Sequence, residues 1–320
     1  MNLNITNKSS WLAYAALAVI CVLWGTTFLG IRIGVMDIPP FLFSAMRMSI
    51  AGLILVLAMM IFAKVQLPSK QVLLKQALAG FLLFTLGNGL ISLAEVHISS
   101  GITAIICSMI PIWVTLINLG PSYTQATGGA ASEDERPTLP VFLGLAIGLS
   151  GIVLMFGENL GDFSNPNYTW SIVVIFIANM GWSFGSVWIK RQNTSGNTFM
   201  NAGLQMLFGG VFLFGASIAF DDYSTLKWTA PAVWSLVYLI VFGSIIAYAC
   251  FSYAVKKLPI TIVSLYAYIN PIVAVLLGTL ILGEKFNLRI AIAMLITVAG
   301  IYIVNKGFQL RDLWRAQFSR

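Results

Sequence analysis

Charged side chains are scarce in the long apolar stretches of this sequence, and Arg47 lies well inside one of them. Only 9% of the 320 residues are charged, while 58% are hydrophobic. A charge in such a stretch is costly and usually faces a polar cavity, where a guanidinium attracts an anionic group such as a carboxylate. The alternative is structural, because a long arginine side chain also reaches back to an interface or to a helix end. Both interpretations stay open at this point.

Glu95 is the plausible proton carrier of the sequence, since it lies close to the interior of an apolar stretch. It could exchange a coupling proton or bind a cationic amine. The alternative is that Glu95 and His97 form a polar pair that marks the end of a helix at an interface. His97 is the only histidine, and the three cysteines lie singly in apolar stretches, so the sequence predicts no metal site, no disulfide and no cofactor.

Aromatic and amide side chains inside the apolar stretches are candidates for the wall of a substrate cavity. Trp24 and Trp182 lie too deep for the aromatic belts of a membrane interface, and they could form an apolar or cation–π wall or simply pack. Amides such as Asn270 could hydrogen-bond a substrate. The further candidates are Asn88, Trp113, Asn179, Tyr248 and Tyr266.

Two prolines lie inside apolar stretches at corresponding places in the two halves of the chain. Proline removes a backbone donor and frees a carbonyl one turn earlier, so a helix kinks there. Pro111 and Pro271 are therefore candidate hinges beside a substrate site, although a kink that serves only packing is the alternative.

The apolar stretches are long enough to be membrane spans. A soluble domain carries about 25% charged residues, far more than this chain, and in hydrocarbon each span must satisfy its own backbone, which predicts helices. Most are near the ~20 residues that cross a bilayer, and Gly87-Asn88-Gly89 is expected to break the third. The ten predicted spans are Leu12–Ile33, Phe41–Ala63, Leu74–Leu93, Ile102–Leu119, Leu139–Phe156, Trp170–Ile189, Phe199–Phe220, Val233–Val255, Ile260–Leu282 and Leu288–Asn305.

The Lys and Arg residues predict the orientation of these spans. With the N-terminus in the cytoplasm, thirteen of them fall on the inner side and four on the outer side, which follows the positive-inside rule. We therefore expect a multi-pass protein of the bacterial cytoplasmic (inner) membrane with both termini in the cytoplasm. The basic tail, residues 307–320, is expected to lie on anionic lipid. The net charge of +7 forms no aromatic-interleaved patch, so nucleic acid is not an expected partner.

An internal repeat divides the chain into two units of five spans. Trp24–Arg32 (WGTTFLGIR) aligns with Trp182–Lys190 (WSFGSVWIK) at an offset of 158 residues, and Arg47 then aligns with Gln205. Because five is odd, the second unit enters the membrane from the opposite side. The predicted fold is an all-α polytopic membrane protein whose two five-helix repeats are inverted, an architecture typical of alternating-access transporters. The expected units are residues 1–157, with a loop at 120–137, and residues 158–306.

The sequence resembles the drug/metabolite transporter superfamily, specifically its EamA-type members of ten helices. The resemblance covers nearly the whole chain and rests on the order and spacing of several motifs. The matching residues are Trp24–Gly34 (WGTTFLGIRIG), Arg47, Ala94-Glu95, Ser100-Gly101, Pro111, Gly243, Tyr253-Ala254, Pro271, Gly283-Glu284 and Gly300.

This resemblance implies exporters of amino acids, other metabolites or drugs, with a central cavity lined by helices 1 to 4 and 6 to 9 and with helices 5 and 10 at the periphery. One departure is that Gly283-Glu284 has no counterpart in the first half, where the loop Gly120–Pro137 stands instead. A symmetric role for two such corners is therefore in doubt.

The expected function is that of a secondary transporter, an exporter of a small metabolite, amino acid or drug-like molecule. No phosphate-binding GxxxxGK[ST] motif is present, so ATP hydrolysis is not the direct energy source. An intramembrane enzyme would need clustered catalytic groups, and a channel would need a pore loop or charge rings; both are alternatives that fit less well. The sequence leaves a homodimer open.

Overall fold

The computed structural model describes residues 8–119, 138–156, 166–192, 196–282 and 288–318. Within these ranges the protein is built from ten helical segments, as predicted. They are α1 Lys8–Val35, α2 Pro40–Ile61, α3 Lys70–Ala94, α4 Ser100–Cys107 with Ile110–Leu119, α5 Leu139–Phe156, α6 Pro166–Arg191, α7 Thr198–Phe220, α8 Ala230–Lys257, α9 Ile260–Ser264 with Tyr266–Leu282, and α10 Leu288–Phe318.

The surface of the helix bundle is apolar, which is the reverse of a soluble protein. Large hydrophobic side chains such as Phe62, Ile218 and Trp234 are exposed, whereas polar side chains such as Arg47 and Glu95 are buried. Six helices, α1, α2, α3, α6, α7 and α8, are each long and apolar enough by length and composition to cross a membrane, and shorter apolar helices lie within α5, α9 and α10. An exposed apolar surface of this kind requires a hydrocarbon solvent.

Successive helices run in opposite directions, so their ends alternate between two faces of the bundle. We call the face at which α1 begins the N-face and the opposite one the far face. At the N-face, Lys190 at the end of α6 donates to the carbonyl oxygen of Leu258, between α8 and α9, at 2.9 Å. At the far face, the N–H of Lys227 donates to the carbonyl oxygen of Asp37 at 2.7 Å. Both contacts join turns that a ten-span inverted repeat places on the same side.

Two π-helical segments occupy equivalent positions in the two halves. Phe81–Gly89 lies within α3, and Leu239–Ile246 lies within α8, so the segments begin 158 residues apart. This is the offset of the sequence repeat. The prediction that Gly87-Asn88-Gly89 breaks the third span is wrong, because the helix passes through these residues in the wider π form and continues as a regular α-helix to Ala94. A π segment shifts the backbone hydrogen-bond register and commonly marks a functional site.

The two proline-containing helices are both interrupted, but at different places relative to the proline. In α4 the break covers Ser108 and Met109, directly before Ile110-Pro111. In α9 the break is at Leu265, and Pro271 lies inside the continuous helix Tyr266–Leu282. The prolines are therefore symmetric in sequence, whereas the interruptions are not.

Helices α5 and α10 pack mainly on each other, at the side of the bundle. Their backbones approach through glycines: a methyl group added to Gly300 would collide with the backbone nitrogen of Gly148 and lie 2.6 Å from the carbonyl oxygen of Gly144. Only glycine permits helices to come this close. The α10 helix also continues to Phe318, beyond the predicted end of the tenth span at Asn305. The loop Gly120–Pro137 and the Gly283-Glu284 corner lie outside the described residues.

Candidate functional site

A central cavity lies between the two halves, in the part of the bundle toward the far face. Its empty space is about 650 Å³, counting the part that is open to the outside. It is lined mainly by apolar and aromatic side chains, with a few polar groups. The residues that line it are Trp24, Thr27, Phe28, Ile31, Arg47, Met48, Phe84, Asn88, Ile91, Ala104, Cys107, Ile110, Trp182, Gly243, Ser244, Tyr248, Tyr266, Ala267 and Asn270.

The two repeat-related tryptophans meet at the base of this cavity. The rings of Trp24 and Trp182 are 5.4 Å apart between centroids in an edge-to-face arrangement. Equivalent residues of an inverted repeat can touch only near the pseudo-two-fold axis, so this contact lies close to that axis. Tyr266 packs edge-to-face on Trp24 at 4.7 Å, and Phe251 lies 5.2 Å from Trp24 and 5.6 Å from Trp182. The result is a compact aromatic cluster at the centre of the bundle.

The π segment of α8 supplies the hydrogen bond that orients Trp24. The indole Nε1 of Trp24 donates to the carbonyl oxygen of Gly243 at 3.0 Å. A π segment shifts the backbone hydrogen-bond register, and Gly243 lies inside the segment Leu239–Ile246. The π segment thus presents a backbone acceptor to Trp24.

Among the described residues that line the cavity, Arg47 is the one charged side chain, and it is only 4% exposed. Its Nε donates to the hydroxyl of Ser244 at 2.8 Å, and its Nη1 lies 3.5 Å from the amide oxygen of Asn88. Both partners are neutral. A guanidinium carries five N–H donors in a planar fork, so these two contacts hold Arg47 in place and leave donors for a ligand in the cavity.

Asn270 connects α9 to α1 at the cavity wall. With the amide assigned so that its nitrogen faces carbonyl oxygens, it donates to Tyr266 at 2.9 Å and to Cys21 at 3.1 Å. These bonds fix the side chain against the backbone of two helices. Asn270 therefore both lines the cavity and holds its wall together.

A hydrogen-bonded row of side chains closes the cavity toward the N-face. The hydroxyl of Tyr248 donates to the amide oxygen of Gln205, and the amide nitrogen of Gln205 donates to the amide oxygen of Gln76. The ring of Tyr248 packs against Phe84 at 4.8 Å and against Phe251 at 5.7 Å. We call these five residues the barrier.

A second cavity lies on the other side of the barrier and reaches the N-face. Its empty space is about 670 Å³, counting the part that is open to the outside, and its wall is polar, unlike that of the central cavity. Gln205, the repeat counterpart of Arg47, belongs to this second cavity. The residues that line it are Gln76, Ile189, Lys190, Gln192, Gly196, Thr198, Asn201, Gln205, Ser252, Val255 and Lys256.

Glu95 lies behind the cavity wall, at the end of α3, and is fully buried. The guanidinium of Arg32 donates to its backbone carbonyl oxygen. Thr103 lies beside the carboxyl group, but its hydroxyl donates to the carbonyl oxygen of Ser99, so within the described residues neither carboxyl oxygen has a hydrogen-bond partner. Arg47 is close enough to interact electrostatically. Glu95 is thus enclosed by protein, whereas His97, two residues further on, is exposed.

Seven of the nine predicted cavity residues line the central cavity, and two do not. Asn179 is buried on α6, where its amide nitrogen donates at 2.7 Å to the carbonyl oxygen of Ile106, next to the break in α4. Trp113 is half-buried on α4. The seven that the structure brings together are Trp24, Arg47, Asn88, Trp182, Tyr248, Tyr266 and Asn270.

Sequence reasoning missed several residues of the site. Ser244 and Gln76 were detectable as polar residues in apolar stretches, the same signal that identified Asn88. Phe84 and Phe251 gave no signal, because phenylalanine is common throughout these helices. Gly243 contributes a backbone carbonyl, which no side-chain pattern could reveal.

Comparison with known proteins agrees with this architecture. A sequence model described as the EamA-like transporter family matches residues 9–120 and 169–306. The "Uncharacterized inner membrane transporter YedA" of Escherichia coli strain K12 is 33% identical over 296 residues, covering 92% of this chain and 90% of that protein. The "Uncharacterized transporter YoaV" of Bacillus subtilis strain 168 is 25% identical over 295 residues, covering 92% and 97%.

A solved crystal structure shares the fold. It is 20% identical, has a TM-score of 0.69, and covers 91% of this chain and 95% of its own. At this identity the likeness concerns the fold alone. The family match and the relatives indicate a transporter rather than an enzyme, one that handles a small-molecule substrate. The chain thus belongs to the EamA-like transporter family and is an integral, multi-pass membrane protein.

Proposed function

We propose that this protein is a secondary transporter that exports a small metabolite, amino acid or drug-like molecule by alternating access of its two inverted halves. The observation that carries the proposal is the pair of cavities on opposite sides of one thin barrier. A carrier needs a site that reaches one face at a time, and a barrier of a few side chains can open and close without unfolding a helix. Export, rather than uptake, follows from the family resemblance.

The repeat supports the same mechanism. Trp24 and Trp182 meet near the pseudo-two-fold axis, and the π segments lie at equivalent places in α3 and α8. In an inverted repeat the two halves can exchange conformations, which converts a state open to one face into a state open to the other. In that scheme this structure is the state with its central cavity toward the far face.

The orientation proposed is N-face in the cytoplasm, with both termini there. It rests on the excess of Lys and Arg on that side. Single cysteines placed in the loop at residues 120–137 should resist an impermeant thiol reagent added to intact cells and react after permeabilisation. Labelling in intact cells would overturn the orientation.

Neither alternative has a feature that favours it. Within the described residues there is no group of three or more His, Cys, Asp or Glu side chains that could hold a metal ion, and a metal-dependent intramembrane enzyme would need one. A channel would need a continuous pore, whereas the barrier residues lie between the two cavities.

Flux through proteoliposomes tests the proposal. The purified protein is reconstituted, a panel of labelled metabolites is screened, and any transported compound is measured for saturation and for stimulation by unlabelled compound on the opposite side. Saturation with trans-stimulation is the expected result. Flux that rises in proportion to concentration without limit would overturn the carrier mechanism.

The barrier can be tested in the same vesicles. With Cys21, Cys107 and Cys250 replaced by Ala, the pair Gln76→Cys and Gln205→Cys should be bridged by a short bifunctional methanethiosulfonate reagent, because the two glutamine side chains meet in the closed barrier. The cross-link should then stop flux, and reduction should restore it. Each single cysteine variant is the matched control. Unchanged flux in the cross-linked protein would contradict a barrier that must open.

A further inference from the structure

We propose that the central cavity takes a small organic anion, with a carboxylate on the guanidinium of Arg47 and an apolar body against the aromatic cluster at Trp24 and Tyr266. This inference rests on the proposed function, since it names the substrate class of the same site.

The positive charge of Arg47 is not neutralised by its neighbours in the cavity wall. Arginine keeps its charge in proteins, and the two acceptors of Arg47 are a hydroxyl and an amide oxygen. Among the described residues that line the central cavity, none is Asp or Glu. A buried charge without a counter-ion is costly, so an anion that enters the cavity relieves that cost.

Glu95 does not cancel this charge. The charged groups that act on it are Arg32 and Arg47. Counting Arg32 and Arg47 as positive and Glu95 as negative, the group of three keeps a net charge of about +1 even when the carboxyl group is fully ionised. A protonated Glu95 would only raise this value. The cavity therefore favours an anion in either state of Glu95.

The rest of the wall is suited to an apolar body. Trp24 and Tyr266 meet edge-to-face, and Ile31, Met48 and Phe84 complete the surface around them. Burying the apolar part of a ligand against these side chains stabilises its binding. A zwitterion or an amine would bring an ammonium group into a wall without an acidic side chain, beside Arg47, where the two positive charges repel.

The second cavity has the same sign of charge. Its two charged lining residues are Lys190 and Lys256, and among the described residues that line it none is acidic. A permeating molecule meets a positive wall on both sides of the barrier. Cavities lined by one sign of charge concentrate the opposite ion and exclude the like one, so the two cavities select for the same substrate class.

Equilibrium binding to the purified protein tests this inference without requiring transport. The probes are two pairs matched in body and opposite in charge near neutral pH: phenylacetate with phenethylamine, and hexanoate with hexylamine. Binding is measured by calorimetry. We expect each anion to bind at least about tenfold more tightly than its amine, since a charge-assisted hydrogen bond is worth this much.

Variants then locate the site. Arg47→Gln should abolish the preference for the anion. Asn88→Asp is a gentler change that keeps the shape of the side chain and places a carboxylate next to Arg47, so it should weaken anion binding about tenfold or more by competition. The matched control is Asn197→Asp, which adds the same charge at the start of α7, where aspartate also caps a helix well. It should leave anion binding in the central cavity unchanged.

Three results would overturn the inference: amines that bind as tightly as the anions, no binding by either anion, or an equal effect of Asn88→Asp and Asn197→Asp. The outcome is separable from that of the proposed function. Saturable flux of amines or zwitterions with no anion binding would exclude the anion and leave transport standing. Anion binding that depends on Arg47, without saturable flux of any compound, would exclude transport and leave the site standing.

Discussion

Removing a single hydroxyl from the barrier should open the central cavity to the N-face more often. In Tyr248→Phe the ring still packs against Phe84 and Phe251, but the amide oxygen of Gln205 loses its donor. Leaving a buried acceptor unpaired costs about 1–3 kcal/mol. This cost applies only to the state in which the barrier is closed, because water replaces the donor in the open state.

The expected size of the effect follows from that cost. A shift of about 1–3 kcal/mol changes the ratio of open to closed barrier by about 5- to 150-fold. Cys107 reports on it, since it is buried and lines the central cavity. With Cys21 and Cys250 replaced by Ala, an impermeant thiol reagent is applied to vesicles that expose the N-face. The rate at which Cys107 is labelled should rise by the same factor in Tyr248→Phe.

Tyr268→Phe is the matched control for this experiment. Tyr268 is equally buried, and its hydroxyl donates to the carbonyl oxygen of Leu145 at 2.8 Å, between α9 and α5. Its loss should lower the stability of the protein by a similar amount without changing the labelling of Cys107. If Tyr248→Phe leaves the labelling rate unchanged, or if both variants raise it equally, the barrier does not act as a gate.

Two further changes test other parts of the molecule. Glu95→Gln should flatten the pH dependence of flux if Glu95 carries a coupling proton, because glutamine keeps the shape but cannot titrate; an unchanged pH profile removes Glu95 from that role. Gly300→Ala should lower the free energy of unfolding by on the order of 1–3 kcal/mol, because its methyl group would meet the backbone of Gly148. Gly215→Ala is the matched control, because nothing lies within 4 Å of its added methyl group. We expect the free energy of unfolding to stay the same or to rise by about 0.5–1 kcal/mol. Equal losses at both glycines would refute the close approach of α5 and α10.

Much of the fold was predictable because its causes are local in the sequence. The predicted fifth and ninth spans begin and end at the same residues as the observed α5 and α9, Leu139–Phe156 and Ile260–Leu282. The predicted second and seventh spans differ from the observed helices by at most two residues at an end. Length and hydrophobicity determine where a chain can cross hydrocarbon, and neither depends on the neighbouring helices. The inversion of the two halves followed from counting five spans in each repeat.

The composition of the cavity was predictable in part for a similar reason. A polar or tryptophan residue deep in an apolar stretch is costly unless it faces a cavity or a partner, and seven of nine such residues do line the central cavity. The same rule placed Asn179 there, but its amide stabilises the interrupted helix α4 instead. Either a cavity or a neighbouring backbone group can offset the cost of a buried polar side chain. The sequence alone therefore does not show which of the two a given residue uses.

By itself, the sequence determined that this protein is a ten-helix membrane bundle of two inverted repeats, with Trp24 and Trp182 as counterparts. Only the tertiary structure decided that these counterparts touch, that Gly87 and Gly89 lie in a π segment rather than a break, and that Tyr248, Gln205 and Gln76 separate two cavities. The physical reason is distance along the chain. Hydrophobicity acts residue by residue, whereas a hydrogen bond between α7 and α8, or one from Trp24 to the carbonyl oxygen of Gly243, exists only once separate helices have packed.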